Sequence, residues 1–270
     1  MLCDFNCPVL MHWDITMNKT EQVEDFYDQY WPQNIPDLLK TEEYISTLLS
    51  DKNIFNYAFD GGCGTGVCSI ALASRAKNVV AFDLSAKSLI SAKSLAKKKG
   101  QKNIEFIHGD LAKIEFPNES FDLVFSWGVV HHCKDPYKVM DELIRICKPG
   151  GTIIMGVYMK TSLSWFHEII RKKICLPLPA IFKHPFIQFV TIFVHIMRVL
   201  GKNIQSRDDN HRIASQVEDW FFVPIKHFFT IDEMKNKFTG KGITFELLQA
   251  RTSRFKACNV FVVRGVKNGE

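Results

Sequence analysis

The sixteen residues 58–73, AFDGGCGTGVCSIALA, constrain this chain more than any others. A short apolar run ends in Asp60, glycines follow at 62, 64 and 66, and small residues then open a helix. Glycine allows turn angles closed to other residues and lets backbone amides approach a ligand closely. The helix N-terminus behind such a loop favours an electronegative group. By itself the segment would suit a dinucleotide.

Three details turn it elsewhere. The spacing is Gly62-x-Gly64-x-Gly66 rather than GxGxxG. Asp60 stands where a pyrophosphate would meet an unwanted negative charge, and a carboxylate there suits a cationic ligand, directly or through water. S-adenosylmethionine (SAM) carries both an ammonium and a sulfonium. Asp83 then ends the next apolar run, and its two oxygens can accept both hydroxyls of a ribose. Gly109-Asp110-Leu111 follows the third run and places a carboxylate able to accept from an adenine amine.

Around this loop, short apolar runs alternate with helical segments, as in a parallel α/β sheet. The runs are 55–59, 79–82, 104–107, 123–127 and 152–158, with two later ones at 243–249 and 259–263. Ser85 is placed to cap a helix that Gly100 stops, and Pro136 opens another that ends before Pro149-Gly150-Gly151. Thr230 and Glu233 form a capping box. The stretch from Glu21 to Leu49 reads as helical, with a Pro-marked bend at 31–36. The length of 270 residues suits one Rossmann-size domain, 21–270, with a helical cap at about 160–230. Residues 1–20 are expected to be a disordered tail or a mis-assigned start, since a second Met stands at 17.

The segments DGGCGTG, FDLS, GDL, FDLVFSWGVVHH and CKPGG resemble the successive motifs of class I SAM-dependent methyltransferases. The similarity is to the broad group that includes the ubiquinone/menaquinone C-methyltransferases and many small-molecule O-methyltransferases, and it covers residues 55–158. It implies a Rossmann-like, seven-stranded, mostly parallel sheet with an antiparallel last strand and helices on both faces. It also implies SAM across the carboxyl ends of the first strands. Asp60, Gly62, Cys63, Gly64 and Gly66 would hold its methionine end, Asp83 with Leu84 the ribose, and Asp110 with Leu111 the adenine. Ser126 and Trp127 would line the pocket near the methyl. Gly61 departs from the family's usual larger residue.

Methyl transfer is an in-line displacement at an activated sulfonium, so positioning accounts for much of the rate. A base helps where the acceptor must lose a proton, and His131 and His132, after the fourth run, are the candidates. Their alternative is structural: one packs beneath the following loop and the other bonds a backbone carbonyl. No NPPY-type motif and no metal-ligand constellation accompanies them. Tyr27, Tyr30 and Trp31 either form the packed face of a leading helix or, through Tyr27, touch SAM or acceptor.

The expected substrate determinant is the insertion. In PFIQFVTIFVHIMRVLGK, residues 185–202, the polar positions Gln188, Thr191, His195, Arg198 and Lys202 form one narrow helical stripe. Such a helix is expected to be buried as a lid over an apolar acceptor, to dimerise, or to dock on a membrane surface through 178–202. Trp220, Phe221, Phe222, His227 and Phe229 would line the same pocket or be ordinary core. Arg251 and Arg254 are expected on a solvated hairpin. The net charge of +5 without an aromatic-interleaved basic stripe argues against a nucleic-acid partner. Eight scattered cysteines without repeated CxxC spacing suggest reduced, cytoplasmic thiols. The opening residues have no basic n-region and no small-residue cleavage site, so no secretion signal is expected.

The expectation is therefore a SAM-dependent methyltransferase, monomeric or homodimeric, acting on a small, apolar or aromatic acceptor at oxygen or carbon. The alternatives are a prenyl-quinone-type C-methyltransferase at the membrane surface, a non-catalytic SAM-binding partner protein, and an NAD-dependent oxidoreductase.

Overall fold

The computed structural model describes residues 17–31, 36–49, 54–199, 210–251 and 259–268. Its strands are β1 (Phe55–Gly61), β2 (Ala76–Asp83), β3 (Ile104–His108), β4 (Phe121–Trp127), β5 (Cys147–Met159), β6 (Glu246–Arg251) and β7 (Asn259–Val266). They form one seven-stranded sheet in the order β3-β2-β1-β4-β5-β7-β6. The first five pair in parallel, and β7 runs antiparallel to β5 and β6. The order reverses at β1, and in open α/β sheets ligands bind at such a switch point.

The apolar runs are continuous because both faces of the sheet are covered. Successive side chains point to opposite faces. Phe59, Val124, Ile153, Met155 and Val263 enter one core, shared with α5 (Pro136–Ile146) and α9 (Ile231–Thr239). Their neighbours Ala58, Leu123, Phe125, Ile154 and Val262 enter the other, shared with α2 (Leu38–Leu48) and α3 (Val67–Ala73). Helix α4 (Ala86–Lys98) packs Leu89 on Cys63 and Ala81. Its N-cap is Ser85, whose hydroxyl accepts from the Ser88 amide.

Helix α1 runs Lys19–Tyr30, so Lys19 and Thr20 belong to it rather than to the expected tail. The reason is a capping box: Asn18 accepts from the Glu21 amide, and Glu21 accepts from the Asn18 amide. The remainder of the expected tail, residues 1–16, lies outside the described residues, as do most of the Pro-marked bend and Arg254.

After β5 the chain leaves the sheet through α6 (Ser164–Ile170), a π-turn over Arg171–Cys175, α7 (Ala180–Val199) and α8 (Asn210–Phe222). It returns where Phe229 bridges Met159. A third core joins this excursion to α1 through Phe26, Cys175, Phe222 and Val223. Arg171 is buried. Its guanidinium holds Glu168 through two hydrogen bonds, at 2.6 and 3.0 Å, and donates to the Val223 carbonyl, which anchors the π-turn. On α7, the polar residue Thr191 turns inward and its hydroxyl donates to the Ile187 carbonyl, while Phe189, Ile192, Phe193 and Ile196 face outward.

The two faces of α4 give a direct check on this packing. Leu89 is 4% exposed and its neighbour Ile90 is 69% exposed. Leu89→Ala should lower unfolding free energy by about 2–5 kcal/mol in urea titrations. Ile90→Ala should change it by no more than about 0.5 kcal/mol.

Candidate functional site

The loop after β1 is held by its own backbone. Gly62 and Cys63 both donate to the Phe82 carbonyl, at 2.7 and 3.1 Å. Gly62 has φ +81°, and a Cβ there would stand 2.2 Å from Val129 Cγ2, so no larger residue fits. Asp83, at the end of β2, accepts from the Gly64 amide on one oxygen (2.7 Å) and from the Ser85 amide on the other (2.8 Å). Each oxygen keeps a further lone pair. Burial raises the Asp83 pKa, while these two amides favour its ionised form.

Helix α1 closes this end of the sheet. Asp28 accepts from the Ser85 hydroxyl at 2.6 Å and pairs with Lys87 at 3.5 Å. Glu24 lies 3.5 Å from His108 at the end of β3. Between α1 and the carboxyl ends of β1 to β4 lies a cavity of about 600 Å³. Gly62, Asp83, Leu84, Asp110 and Leu111 line its sheet side, and Tyr27, Trp31 and Val23 its helix side. Val129, His132 and Ile225 complete an apolar wall with one imidazole.

Six of the expected cofactor residues thus share this cavity: Tyr27, Gly62, Asp83, Leu84, Asp110 and Leu111. Asp60 does not line it. Its carboxylate is buried behind the loop and accepts from the Ser69 hydroxyl at 2.6 Å, and burial pushes its pKa up to about 7. Cys63 packs against Leu89 and Ala81, Gly66 caps α3, and Gly64 lies under the Trp31 indole. Ser126 and Trp127 do not line the cavity either. The Ser126 hydroxyl donates to the Gly61 carbonyl, tying β4 to β1. Trp127 lies over Gly156, where any Cβ would collide with it, and edge-on to Tyr44. Strand alternation ends at Trp127, and the turn at Gly128 presents Val129 instead.

Residues 59–155 match the family described as a methyltransferase domain. A demethylmenaquinone methyltransferase of Clavibacter sepedonicus is 29% identical over 170 residues, 62% of this chain and 66% of that protein. A malonyl-[acyl-carrier protein] O-methyltransferase of Serratia marcescens is 34% identical over 104 residues, 38% of this chain and 39% of that protein. Magnesium protoporphyrin IX methyltransferase of Synechocystis, solved with bound S-adenosylhomocysteine, shares the fold. Its TM-score is 0.58 at 13% identity, covering 93% of this chain and 100% of that one. Residues 59–155 thus carry a methyltransferase domain, and the seven-stranded fold is shared with a methyltransferase of known structure. The chain spans 66% or less of the length of these two curated relatives.

The two histidines after β4 differ. His132 Nδ1 lies 2.8 Å from the Ile225 carbonyl, so that nitrogen carries the proton and the neutral ring's lone pair sits on Nε2. Burial depresses its pKa to about 4, against the pull of Asp219, whose Oδ1 is 3.7 Å from Nε2. His131 lies outside the cavity, packed on the Tyr158 ring at 3.9 Å, with both nitrogens buried and without a hydrogen-bond partner. Burial and the neighbouring His132 and Lys226 hold it well below the usual imidazole range.

Sequence reasoning missed Asp219. It accepts from the Tyr27 hydroxyl at 3.2 Å and from Tyr158 at 2.6 Å. Burial opposes its ionisation, but His132, Lys226 and the two phenols together hold its pKa low. The available signal was an acidic pair, Glu218-Asp219, inside the apolar run of α8. The preceding Glu218 is pushed up to about 7 by burial and by Asp219 itself. The lid expectation for α7 also changes: among the described residues of the insertion, only Ile225 lines the cavity. Phe222 and Phe229 are buried core instead.

Asp219→Ala leaves two phenols without their acceptor and should destabilise the fold by about 2–4 kcal/mol in denaturant titrations. Tyr158→Phe, which removes one of the two donors, should cost about 1.5–3 kcal/mol.

Proposed function

We propose that this chain transfers the methyl group of SAM to a small, apolar or aromatic acceptor, at oxygen or carbon. The observation that carries the reading is one cavity that combines two carboxylates, Asp83 and Asp110, with an apolar wall of Val23, Val129 and Ile225. Its volume of about 600 Å³ lies within the range of small-molecule sites, roughly 300–1,000 Å³. The relatives' own names divide between a quinone and a carrier-bound acid as acceptor, and the second of them names oxygen as the target.

The residues present fit the cofactor. Asp83 has one lone pair left on each oxygen for the two ribose hydroxyls. Asp110 uses one oxygen to cap the turn at 111–113, accepting from the Ala112 amide, and its other oxygen suits an amine donor. Asp60, close behind the loop, would add negative potential toward a cationic ligand without touching it. When bound, SAM supplies a methyl group already activated on sulfur.

Everything else falls to positioning and, where the acceptor carries a proton, to its removal. The Val129 and Ile225 side chains give the wall that carries His132 its apolar character. The His132 Nε2 lone pair is the only imidazole nitrogen among the lining residues, which makes it the proposed base. Because burial keeps this ring neutral down to a pKa of about 4, the base form is present throughout the neutral range.

Calorimetric titration with SAM and with S-adenosylhomocysteine tests the reading: one-to-one binding is expected, and absence of binding in the folded protein would sink it. Asp83→Ala should weaken SAM binding by at least about tenfold through loss of the ribose partner. SAM affinity should rise from pH 6 to pH 8. Asp60 has a raised pKa of about 7 in the free protein, and a bound cation lowers it, so binding releases a proton. Asp60→Asn should flatten that dependence. His132→Ala should lower turnover by about 10²–10⁴-fold with SAM affinity unchanged. The acid limb of the wild-type rate should fall near pH 4 rather than near 6.5.

A further inference from the structure

The excursion after β5 carries an outer surface that neither the fold nor the cavity uses. Among the described residues, 18 large apolar side chains are exposed, and 11 of them lie between Leu163 and Ile196. On α7 the exposed large apolar positions are Ile181, Phe182, Phe189, Ile192, Phe193 and Ile196, which recur along one helix face. Ile181 and Phe189 are 71% and 70% exposed. The opposite side of α7 already has its partners, since Phe186 and Ile187 pack on the core of Phe26 and Phe222. On α6, Trp165, Phe166 and Ile169 are exposed in the same way. A patch of this extent on a protein surface marks a contact with something apolar.

Charge narrows what that is. Residues 160–199 hold six basic residues and one acidic residue, a formal +5. The whole chain has 34 basic and 29 acidic residues, also +5, so the remainder is neutral. The one acid, Glu168, is turned to Arg171 and Lys172. Lys172 and Lys173 are exposed between the two apolar helices. A self-associating surface with this charge would bring like charges together, whereas a bilayer bearing anionic headgroups meets both the charge and the apolar side chains. No described helix is long and apolar enough to cross a membrane.

We propose that the outward face of α6 and α7 docks on an anionic lipid bilayer, with α7 lying in the plane of the interface. At 20 residues α7 is about 30 Å long. It would seat its phenylalanines and isoleucines among the acyl chains. Trp165 would sit at headgroup depth, where indole is favoured, and Lys172 and Lys173 would meet the headgroups. The surface is separate from the cavity lining, so this proposal stands or falls independently of the acceptor.

The test is co-sedimentation of the full chain with vesicles of phosphatidylcholine alone and of phosphatidylcholine mixed with phosphatidylglycerol, across a salt series. Capture by the mixed vesicles, weakening as salt screens the charges, is expected. Lys172→Glu with Lys173→Glu should reduce that partition by about tenfold or more. Phe182→Ser, Phe189→Ser and Ile192→Ser together should abolish it. These side chains are exposed, so SAM binding and far-ultraviolet dichroism should be unchanged in both variants. No capture by mixed vesicles overturns the proposal, as does capture that both variants leave intact. A dimer by sedimentation equilibrium that the apolar triple variant splits, in a protein that vesicles ignore, would assign the face to a second copy instead.

Discussion

The site depends first on one buried carboxylate. Asp83 binds the Gly64 amide with one oxygen and the Ser85 amide with the other, so a single side chain fixes the loop after β1, the end of β2 and the start of α4. Ser85 passes the constraint on, because its hydroxyl donates to Asp28 and thereby seats α1 over the cavity. A buried charge is costly unless its oxygens find donors, and here the donors are the backbone amides whose positions define the loop. The geometry of the glycine loop and the ionisation of Asp83 are therefore one problem with one solution.

Asp219 solves the same problem differently at the other wall. Where Asp83 relies on amides and keeps a raised pKa, Asp219 is surrounded by two phenols, Lys226 and His132, and its pKa is held low. Lys226 is itself fixed, donating to the Asp219 and Trp220 carbonyls and lying over the Tyr158 ring at 4.7 Å. The two carboxylates thus divide the structure between them. Asp83 organises contacts within the sheet domain, and Asp219 joins α8 to β5 and to α1 across 61 and 192 residues of sequence.

That difference in range explains what the sequence disclosed. Strands, glycine loop, the Ser85 and Thr230 caps and the acids at 83 and 110 depend on neighbours in the chain or on strict alternation, and both leave patterns in the sequence. The direction a side chain takes once alternation stops does not, which is why Ser126 and Trp127 were placed in the pocket and Val129 was not. Asp60 was legible as an acid at the loop but not as one turned to Ser69, since helix α3 decides that contact. Asp219 showed only as half of an acidic pair, and its partners stayed hidden because Tyr27 and Tyr158 come from two distant elements. Arg171 is long-range in the same way: it closes a π-turn on the Val223 carbonyl, 52 residues away.

Tyr27 is where the two carboxylates meet. It lies on the helix that Asp28 pins to Ser85, lines the cavity, and donates its hydroxyl proton to Asp219. A phenol has one proton to donate, so Tyr27 can satisfy Asp219 or an acceptor atom in the cavity, but not both. Its pKa is raised by burial and by Asp219, so the hydroxyl stays protonated through the neutral range and the choice remains one of geometry. A ligand that takes this proton leaves Asp219 with Tyr158 as its phenolic donor and draws its charge toward His132, 3.7 Å away. Occupancy of the cavity and basicity of the imidazole in its wall are in this way coupled through a single hydroxyl group.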